Sequence, residues 1–345
     1  MQYNYDQFIF TGRGTTALWL ILKNLPYKNR KILLPVNICE ILIPIIYRAN
    51  FKPCFYDVNQ DTGNASIDNI NDKYTGNESV LLAVHNFGIP LKIDKISKWC
   101  MERNIFLIED VCNSLGGYYI DNLLGNWGDA AIFSFGFNKI IENGIGGALI
   151  IKNNEFKAII EKELSILKCY SSLHREKDNF FQNKLRNLRT QNNKQNPSAY
   201  IPLYKAYSPF LLYNIDNKTK SDILTLAKNL QTNLETRKRK ATRYRNEIKS
   251  TYIFHLQEVP GQIYWRYNIL VKNNKRDYFL KELFNNGLFA STWYPPIIEL
   301  FQTEYNEKEY QGSITFSKRI INLFVDHRIS DDDITKTVTI LNKYR

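Results

Sequence analysis

"IFLIEDVCNSLGGYYIDNLLGNWGDAAIFSFGFNKIIENGIGGALII", residues 105–151, decides the fold. It holds three strand-length apolar runs, "IFLIED", "AAIFSF" and "GGALII". Upstream, "KILLPV" (31–36), "KPCFYDV" (52–58) and "SVLLAVHNFG" (79–88) read as further strands. Between them "TTALWLILKNL" (15–25), "ICEILIPIIYRAN" (38–50) and "IDKISKWCMERN" (93–104) read as helices with one apolar face. Strand and helix alternating in this way predict an α/β fold whose mostly parallel sheet is covered on both faces. In such sheets ligands bind beyond the carboxyl ends of the strands.

Downstream the rhythm changes. Residues 152–168 read as a helix, and 170–210 are polar and irregular, either a mobile excursion or a segment that covers a ligand. A single long helix is expected over 219–249. A smaller α+β unit follows: "IYWRYNILVK" (263–272) as a strand, "KRDYFLKELFNNG" (275–287) as a helix ended by Gly287, "LFASTWYPPI" (288–297) as a strand and turn, and a last helix capped by Ser330. The expected division is a large domain over 1–235 and a small C-terminal one over 236–345.

Composition narrows the chemistry. With 345 residues, 44% hydrophobic, the chain can bury a proper core. No apolar run has the length of a membrane span, and "MQYNYDQFIF" lacks the basic-then-apolar pattern of a secretory signal. The cysteines at 39, 54, 100, 112 and 169 form no CxxC pair, which suits reduced thiols in the cytoplasm. The histidines at 85, 174, 255 and 327 show no ligand spacing, so no metal is expected. The net charge is +12, but the basic residues are spread, and the densest run, "TRKRKATRYR" (236–245), reads as the solvated face of a helix. That argues against nucleic acid and for a small phosphate-bearing ligand drawn by the same field.

Four stretches fall at the ligand-binding edge. "GRGTTAL" (12–18) opens a helix, where free N–H groups hold phosphate, although Thr15 or Thr16 would serve equally as an ordinary N-cap. "IEDVCNSLGG" (108–117) ends a strand on Asp110, a carboxylate that needs a cation if it is buried. "AVHNFG" (83–88) carries His85, ordinarily a hydrogen-bonded core residue. "FSFGFNKIIENGIGG" (133–147) sets Ser134 and Lys139 around a short turn. Singly each has an ordinary structural explanation. A phosphate cradle, a buried carboxylate and a lysine at one site are together what pyridoxal phosphate requires: an amine for its aldehyde and an anion for its pyridinium.

These stretches, in order, resemble the motifs of the DegT/DnrJ/EryC1/StrS sugar aminotransferases, which are aspartate-aminotransferase-like (fold type I) pyridoxal-phosphate enzymes. "GTTAL", "KPCFYDVNQDTGNASID", "AVHNFGIPLKIDKI", "LIEDVCNSLGG", "FSFGFNK", "GGALI" and "TWYPPI" carry the likeness across nearly the whole chain. The resemblance implies a seven-stranded sheet of that fold type. It makes Lys139 the Schiff-base lysine and proton carrier, and Asp110 the partner of the pyridinium. Asn113 stands where the family has a glutamine facing the ring hydroxyl. Thr15, Thr16 and Ser134 hold the phosphate. Asn217, or alternatively Asn214, completes the neighbouring subunit's phosphate site in a homodimer. Cys39 replaces the usual stacking aromatic and leaves His85 for that part. His174, Arg175 and Lys177 are candidates for the substrate diphosphate. The implied activity is amino transfer from glutamate to a nucleotide-linked keto-sugar, in amino-sugar biosynthesis for a surface polysaccharide or glycoconjugate. Two alternatives are a sugar dehydratase, whose relatives carry histidine in place of the lysine, and a non-catalytic binder of cofactor or sugar.

Overall fold

The computed structural model describes residues 1–190, 197–301 and 305–343. Its strands are β1 (Ile9–Thr11), β2 (Lys31–Pro35), β3 (Lys52–Tyr56), β4 (Val80–Val84), β5 (Phe106–Asp110), a small hairpin β6 (Tyr118–Tyr119) and β7 (Asn122–Leu123), then β8 (Ala130–Ser134) and β9 (Gly147–Ile151). All but the hairpin form one seven-stranded sheet in the order β1-β9-β8-β5-β4-β2-β3. The five strands from β3 to β8 in that order are parallel. β9 runs against β8, and β1 against β9. Thr11, Val84, Asp110 and Ser134 therefore end at the same edge.

Both faces are buried, as the apolar runs require. Alternate residues of each strand choose opposite sides. Leu34, Leu82 and Ile132 face α1 (Gly14–Asn24), α2 (Leu42–Arg48) and α5 (Asn154–Ser165), while Leu33, Leu81 and Leu107 face α4 (Ile93–Glu102), beyond α3 (Ile67–Lys73). Each fully buried aliphatic side chain contributes about 1.5–3 kcal/mol relative to an exposed one.

Three stretches depart from the sequence expectation. The segment 170–210 is not irregular: α6 (Ser172–Thr190) and α7 (Pro197–Tyr207) occupy most of it, with residues 191–196 outside the described ones. Their apolar residues are sparse but well aimed. Phe181 and Leu185 of α6 enter the core beside α1 and α2, and Phe181 stacks on Tyr207 with ring centroids 4.1 Å apart. The long helix is two, α8 (Asn217–Ala227) and α9 (Leu230–Glu247), broken at Asn229, which leaves the helical region at φ −97°, ψ 11°. The break turns Leu230 and Leu234 onto the core that holds the active-site strands. The basic run in α9 is not wholly solvated either. Arg237 and Lys240 are buried; Arg237 donates to the Trp265 carbonyl, and Lys240 to those of Asp326 and Ile329. A charge run cannot by itself reveal which of its members find carbonyl acceptors inside.

The C-terminal part builds a four-stranded antiparallel sheet from β10 (Ile253–His255), β11 (Tyr267–Val271), β12 (Ala290–Ser291) and β13 (Ile320–Leu323), in the order β10-β11-β13-β12. Helices α10 (Arg276–Asn285), α11 (Ile298–Phe301), α12 (Gln311–Ser317) and α13 (Asp331–Leu341) accompany it. Ser330 caps α13 in a reciprocal capping box with Asp333, as expected.

One close approach ties sheet to site. A Cβ on Gly147 would lie 2.2 Å from the Arg13 carbonyl carbon and 2.4 Å from the Gly14 nitrogen. Gly147→Ala should therefore push β9 off the start of α1. The expected cost is about 1–3 kcal/mol or more, measured as a lowered midpoint of thermal unfolding.

Candidate active site

The common strand edge gathers a cavity of about 110 Å³ whose wall includes Thr15, His85, Asp110, Asn113, Ser134 and Lys139. Each comes from a different turn. Thr15 opens α1, whose N-terminus approaches β8 because residue 14 is glycine. A Cβ there would meet the Phe133 carbonyl and the Cys112 sulfur, both at 3.2 Å. The unpaired N–H groups of that first turn make it an anion site next to Ser134. A second cavity, about 530 Å³, adjoins the first and shares Arg13, Cys39, Ser134, Lys139 and Tyr294 with it.

Lys139 is held in place by Asn113. Its Nζ donates to Asn113 Oδ1 at 2.8 Å, and Asn113 Nδ2 donates to the Tyr294 hydroxyl at 2.7 Å. Burial pushes the Tyr294 phenol well above its ordinary pKa, so it stays neutral. The backbone before Lys139 turns through Asn138 at φ 63°, a left-handed conformation that asparagine tolerates. Trp265 Nε1 donates to the Asn138 carbonyl at 2.6 Å and Arg266 Nη2 to its side-chain oxygen at 3.0 Å. The small sheet thereby fixes the lysine turn.

At the end of β5, neighbouring acids point to opposite sides. Asp110, 7% exposed, faces the cavity and accepts the Cys112 N–H at 2.9 Å. Glu109 is fully buried behind it, accepting from the backbone of Gly125, Trp127 and Gly128 at 3.0, 2.7 and 2.7 Å. Its fourth contact is His85 Nε2 at 3.1 Å. His85 Nδ1 accepts the Leu91 N–H at 3.1 Å, which puts the imidazole proton on Nε2. Both nitrogens of His85 are thus occupied, and only its ring is available to a ligand. Burial pushes the thiols of Cys39 and Cys112 up, so both are neutral wall groups.

Of the residues singled out in the sequence, Thr15, His85, Asp110, Asn113, Ser134 and Lys139 share one cavity wall. Thr16 does not line it: its buried hydroxyl donates to the Leu211 carbonyl at 2.9 Å, an acceptor that the Thr15 hydroxyl also reaches, at 3.3 Å. Asn217, the exposed first residue of α8, lies outside both cavities, and Asn214 spends its side chain on the Leu164 carbonyl and the Ile215 N–H. His174 lines the second cavity, whereas Arg175 and Lys177 do not. Sequence reasoning passed over Arg13, Glu109 and Tyr294. Glu109 had a signal, since two adjacent acids at a strand end cannot face the same way.

The group that would complete such a cavity is a phosphorylated, aldehyde-bearing aromatic cation, and the residues fit it. The amine, the carboxylate and the helix start with its serine surround one space, where Arg13 adds a further cation and Cys39, Cys112 and Tyr294 a neutral wall. Pyridoxal phosphate meets that description.

The family model for the DegT/DnrJ/EryC1/StrS aminotransferases matches residues 4–342. GDP-perosamine synthase of Escherichia coli O157:H7 is 30% identical over 151 residues, 43% of this chain and 42% of that protein, so the match spans less than half of this relative. The dTDP-3-amino-3,6-dideoxy-alpha-D-galactopyranose transaminase of Aneurinibacillus thermoaerophilus is 22% identical over 340 residues, 97% of this chain and 85% of that one. Among solved structures, a putative sugar aminotransferase from Streptococcus pneumoniae in its PLP-form superposes with a TM-score of 0.75 at 20% identity, over 97% of this chain and 86% of that one; at this identity the likeness speaks for the fold.

The support beneath Lys139 is testable through acid. Arg266 and Asp326 form a buried pair at 2.8 Å, and Arg328 joins Asp326 at 2.9 Å and Glu142 at 2.7 Å. Burial alone would raise Asp326, but Arg328 and Arg266 outweigh it and hold its carboxyl down to about 2. An unfolded aspartate titrates near ~3.9. This stabilisation is therefore complete above about pH 4 and is lost as pH falls toward 2. Asp326→Asn should cost about 3–5 kcal/mol at neutral pH, because it leaves the buried Arg266 without its carboxylate. The gap from the parent should narrow between about pH 4 and pH 2, as read by denaturant melts across pH.

Proposed function

Because the chain belongs to the DegT/DnrJ/EryC1/StrS aminotransferase family, whose enzymes depend on pyridoxal phosphate, we propose that it moves an amino group from glutamate to the ketone of a nucleotide-linked sugar, in amino-sugar biosynthesis for a surface polysaccharide or glycoconjugate. The observation that carries this reading is the shared wall of Lys139, Asp110, Ser134 and the α1 N-terminus. The named relatives, a GDP-perosamine synthase and a dTDP-amino-sugar transaminase, support the substrate class.

The roles follow from chemistry. The first turn of α1, with Thr15 and Ser134, holds the phosphate dianion. Asp110 keeps the ring nitrogen protonated by placing a buried negative charge beside it. When bound, pyridoxal phosphate supplies an aldehyde that receives the amino group and a ring that takes up the electron pair left on a substrate carbon. Lys139 Nζ takes the proton from the α-carbon of the donor and later delivers one to the sugar carbon. Asn113 holds that amine near the cavity between transfers, and its other end rests on Tyr294. His85 offers its ring face, fixed by Glu109, and Cys39 closes the wall where an aromatic would stack.

The chain works as a homodimer in this reading. Phe137, two residues before Lys139, is 72% exposed, an apolar surface that a second copy would cover. Asn217 is assigned to the phosphate of the neighbouring site. The free cysteines suit the cytoplasm, where nucleotide sugars are handled. A lysine at 139 favours amino transfer over the dehydratase alternative.

Mixing the holoenzyme with glutamate in the absence of sugar should convert the cofactor absorbance to that of its amine form in one turnover. Lys139→Ala should slow that conversion by about 10²–10⁴, and Asp110→Asn should slow it as well while weakening cofactor retention. A wild-type protein whose spectrum ignores glutamate would sink the amino-transfer reading.

A further inference from the structure

The helix that replaces the expected irregular segment carries a polar stripe. His174, Asp178 and Gln182 recur every four residues along α6, and all three line the larger cavity that adjoins Lys139. Spacing of four places them on one helical face. Phe181 and Leu185, on the adjoining face, anchor the helix in the core. The stripe therefore lines a cavity that is open to solvent, with His174 and Asp178 half-buried and Gln182 exposed at its rim. Trp265 and Trp293 line the same cavity, and Tyr213 lies beside His174 with ring centroids 4.9 Å apart.

Charge tells what this stripe can accept. Arg13, Lys139 and Arg266 make the cavity cationic, yet Asp178 places a carboxylate among them. Asp178 Oδ1 accepts the Tyr207 hydroxyl and lies 3.8 Å from Arg13 Nη1. Oδ2 takes part in neither contact. A carboxylate repels phosphate and the carboxyl groups of an amino-acid donor, but it is a strong acceptor for hydroxyl groups. Burial lowers the pKa of His174, whose Nδ1 is already engaged by Ser171, so at neutral pH the ring is uncharged. An uncharged imidazole, a carboxylate and an amide opposite aromatic rings suit a neutral polyhydroxylated ring: apolar C–H faces against the indoles, hydroxyls against the stripe.

Building on the proposed function, we infer that α6 reads the hydroxyl pattern of the acceptor sugar, with Asp178 as the specificity-determining residue that accepts a ring hydroxyl. The repulsion also sets the direction of binding. The diphosphate lies away from the stripe and the neutral hexose lies between it and Lys139. A site built to bond a hydroxyl rejects the analogue lacking it far more strongly than an apolar pocket rejects an added group.

The test uses the full-chain holoenzyme and tryptophan fluorescence, since Trp265 and Trp293 line the cavity. The probes are a nucleoside-diphosphate 4-keto-6-deoxyhexose and its 2-deoxy and 3-deoxy counterparts. The parent protein should bind the sugar that carries both the 2- and 3-hydroxyls at least about 10-fold more tightly than one of the deoxy sugars, as expected for a bond to a charged group. Asp178→Asn should shrink that ratio to about 3-fold or less. Tyr207→Phe removes the hydroxyl that Asp178 holds but keeps the carboxylate, and should retain the ratio. The inference is overturned by equal binding of all three sugars to the parent protein. It is overturned equally by an unchanged ratio in Asp178→Asn, or by its loss in Tyr207→Phe to the same extent, which would mean that Asp178 only fastens α6 to α7. Conversion of the cofactor spectrum by glutamate is scored separately: its failure bears on amino transfer, while the binding ratios still judge the stripe.

Discussion

Two carboxylates sit side by side at the end of β5, and neither may be buried without compensation. The strand resolves this by sending them to opposite faces. Glu109 goes inward, where three backbone N–H groups and the His85 imidazole satisfy it. Asp110 goes to the cavity, where the Cys112 N–H meets it. The inward acid makes the outward one possible. It pins His85 and the 125–128 turn, and so shapes the wall that keeps Asp110 away from bulk water. A cation supplied by a ligand ring is the partner that this arrangement leaves to be found.

The second constraint is the position of the lysine. An amine on a flexible stem is of little use unless its backbone is fixed. Here the turn before Lys139 is fastened by the C-terminal sheet through Trp265 and Arg266, and Arg266 is fastened in turn by Asp326. The two sheets meet at Lys139. Anything that loosens the small sheet should reach Nζ through Asn138 before it reaches Asp110, which is held by the large sheet alone.

The legible parts of this molecule were those set by local periodicity. Strands β2, β4, β5, β8 and β9 announced themselves as apolar runs, and their shared edge brought Asp110, Ser134, His85 and Lys139 together as the alternation implied. What stayed hidden depends on partners distant in sequence. Arg237 and Lys240 look solvated until the carbonyls of Trp265, Asp326 and Ile329 arrive. Thr16 looks like a phosphate ligand until the turn of α1 places it off the cavity wall, under the Leu211 carbonyl. Segment 170–210 looked shapeless because α6 buries only a narrow stripe, Phe181 and Leu185, and its polar residues outnumber the apolar ones. A helix that is polar on two sides gives a weak periodic signal when one of those sides faces a cavity.

That last feature argues for function in the helix itself. A helix whose only task is to cover the core gains nothing by presenting an acid to a cavity lined by arginines and a lysine. Asp178 stands there at 3.8 Å from Arg13, too far for a strong ion pair, with its other support from a phenol. Both side chains are about one third exposed, so a pair at this distance contributes little to stability. A loose pair instead leaves both partners able to reorganise around a third. An anionic substrate with a neutral, hydroxyl-bearing end can satisfy both groups at once, its charge toward the arginine side and its hydroxyls toward the acid. In this reading the acid that meets the hydroxyls lies on a helix that the alternating strand and helix pattern did not foretell.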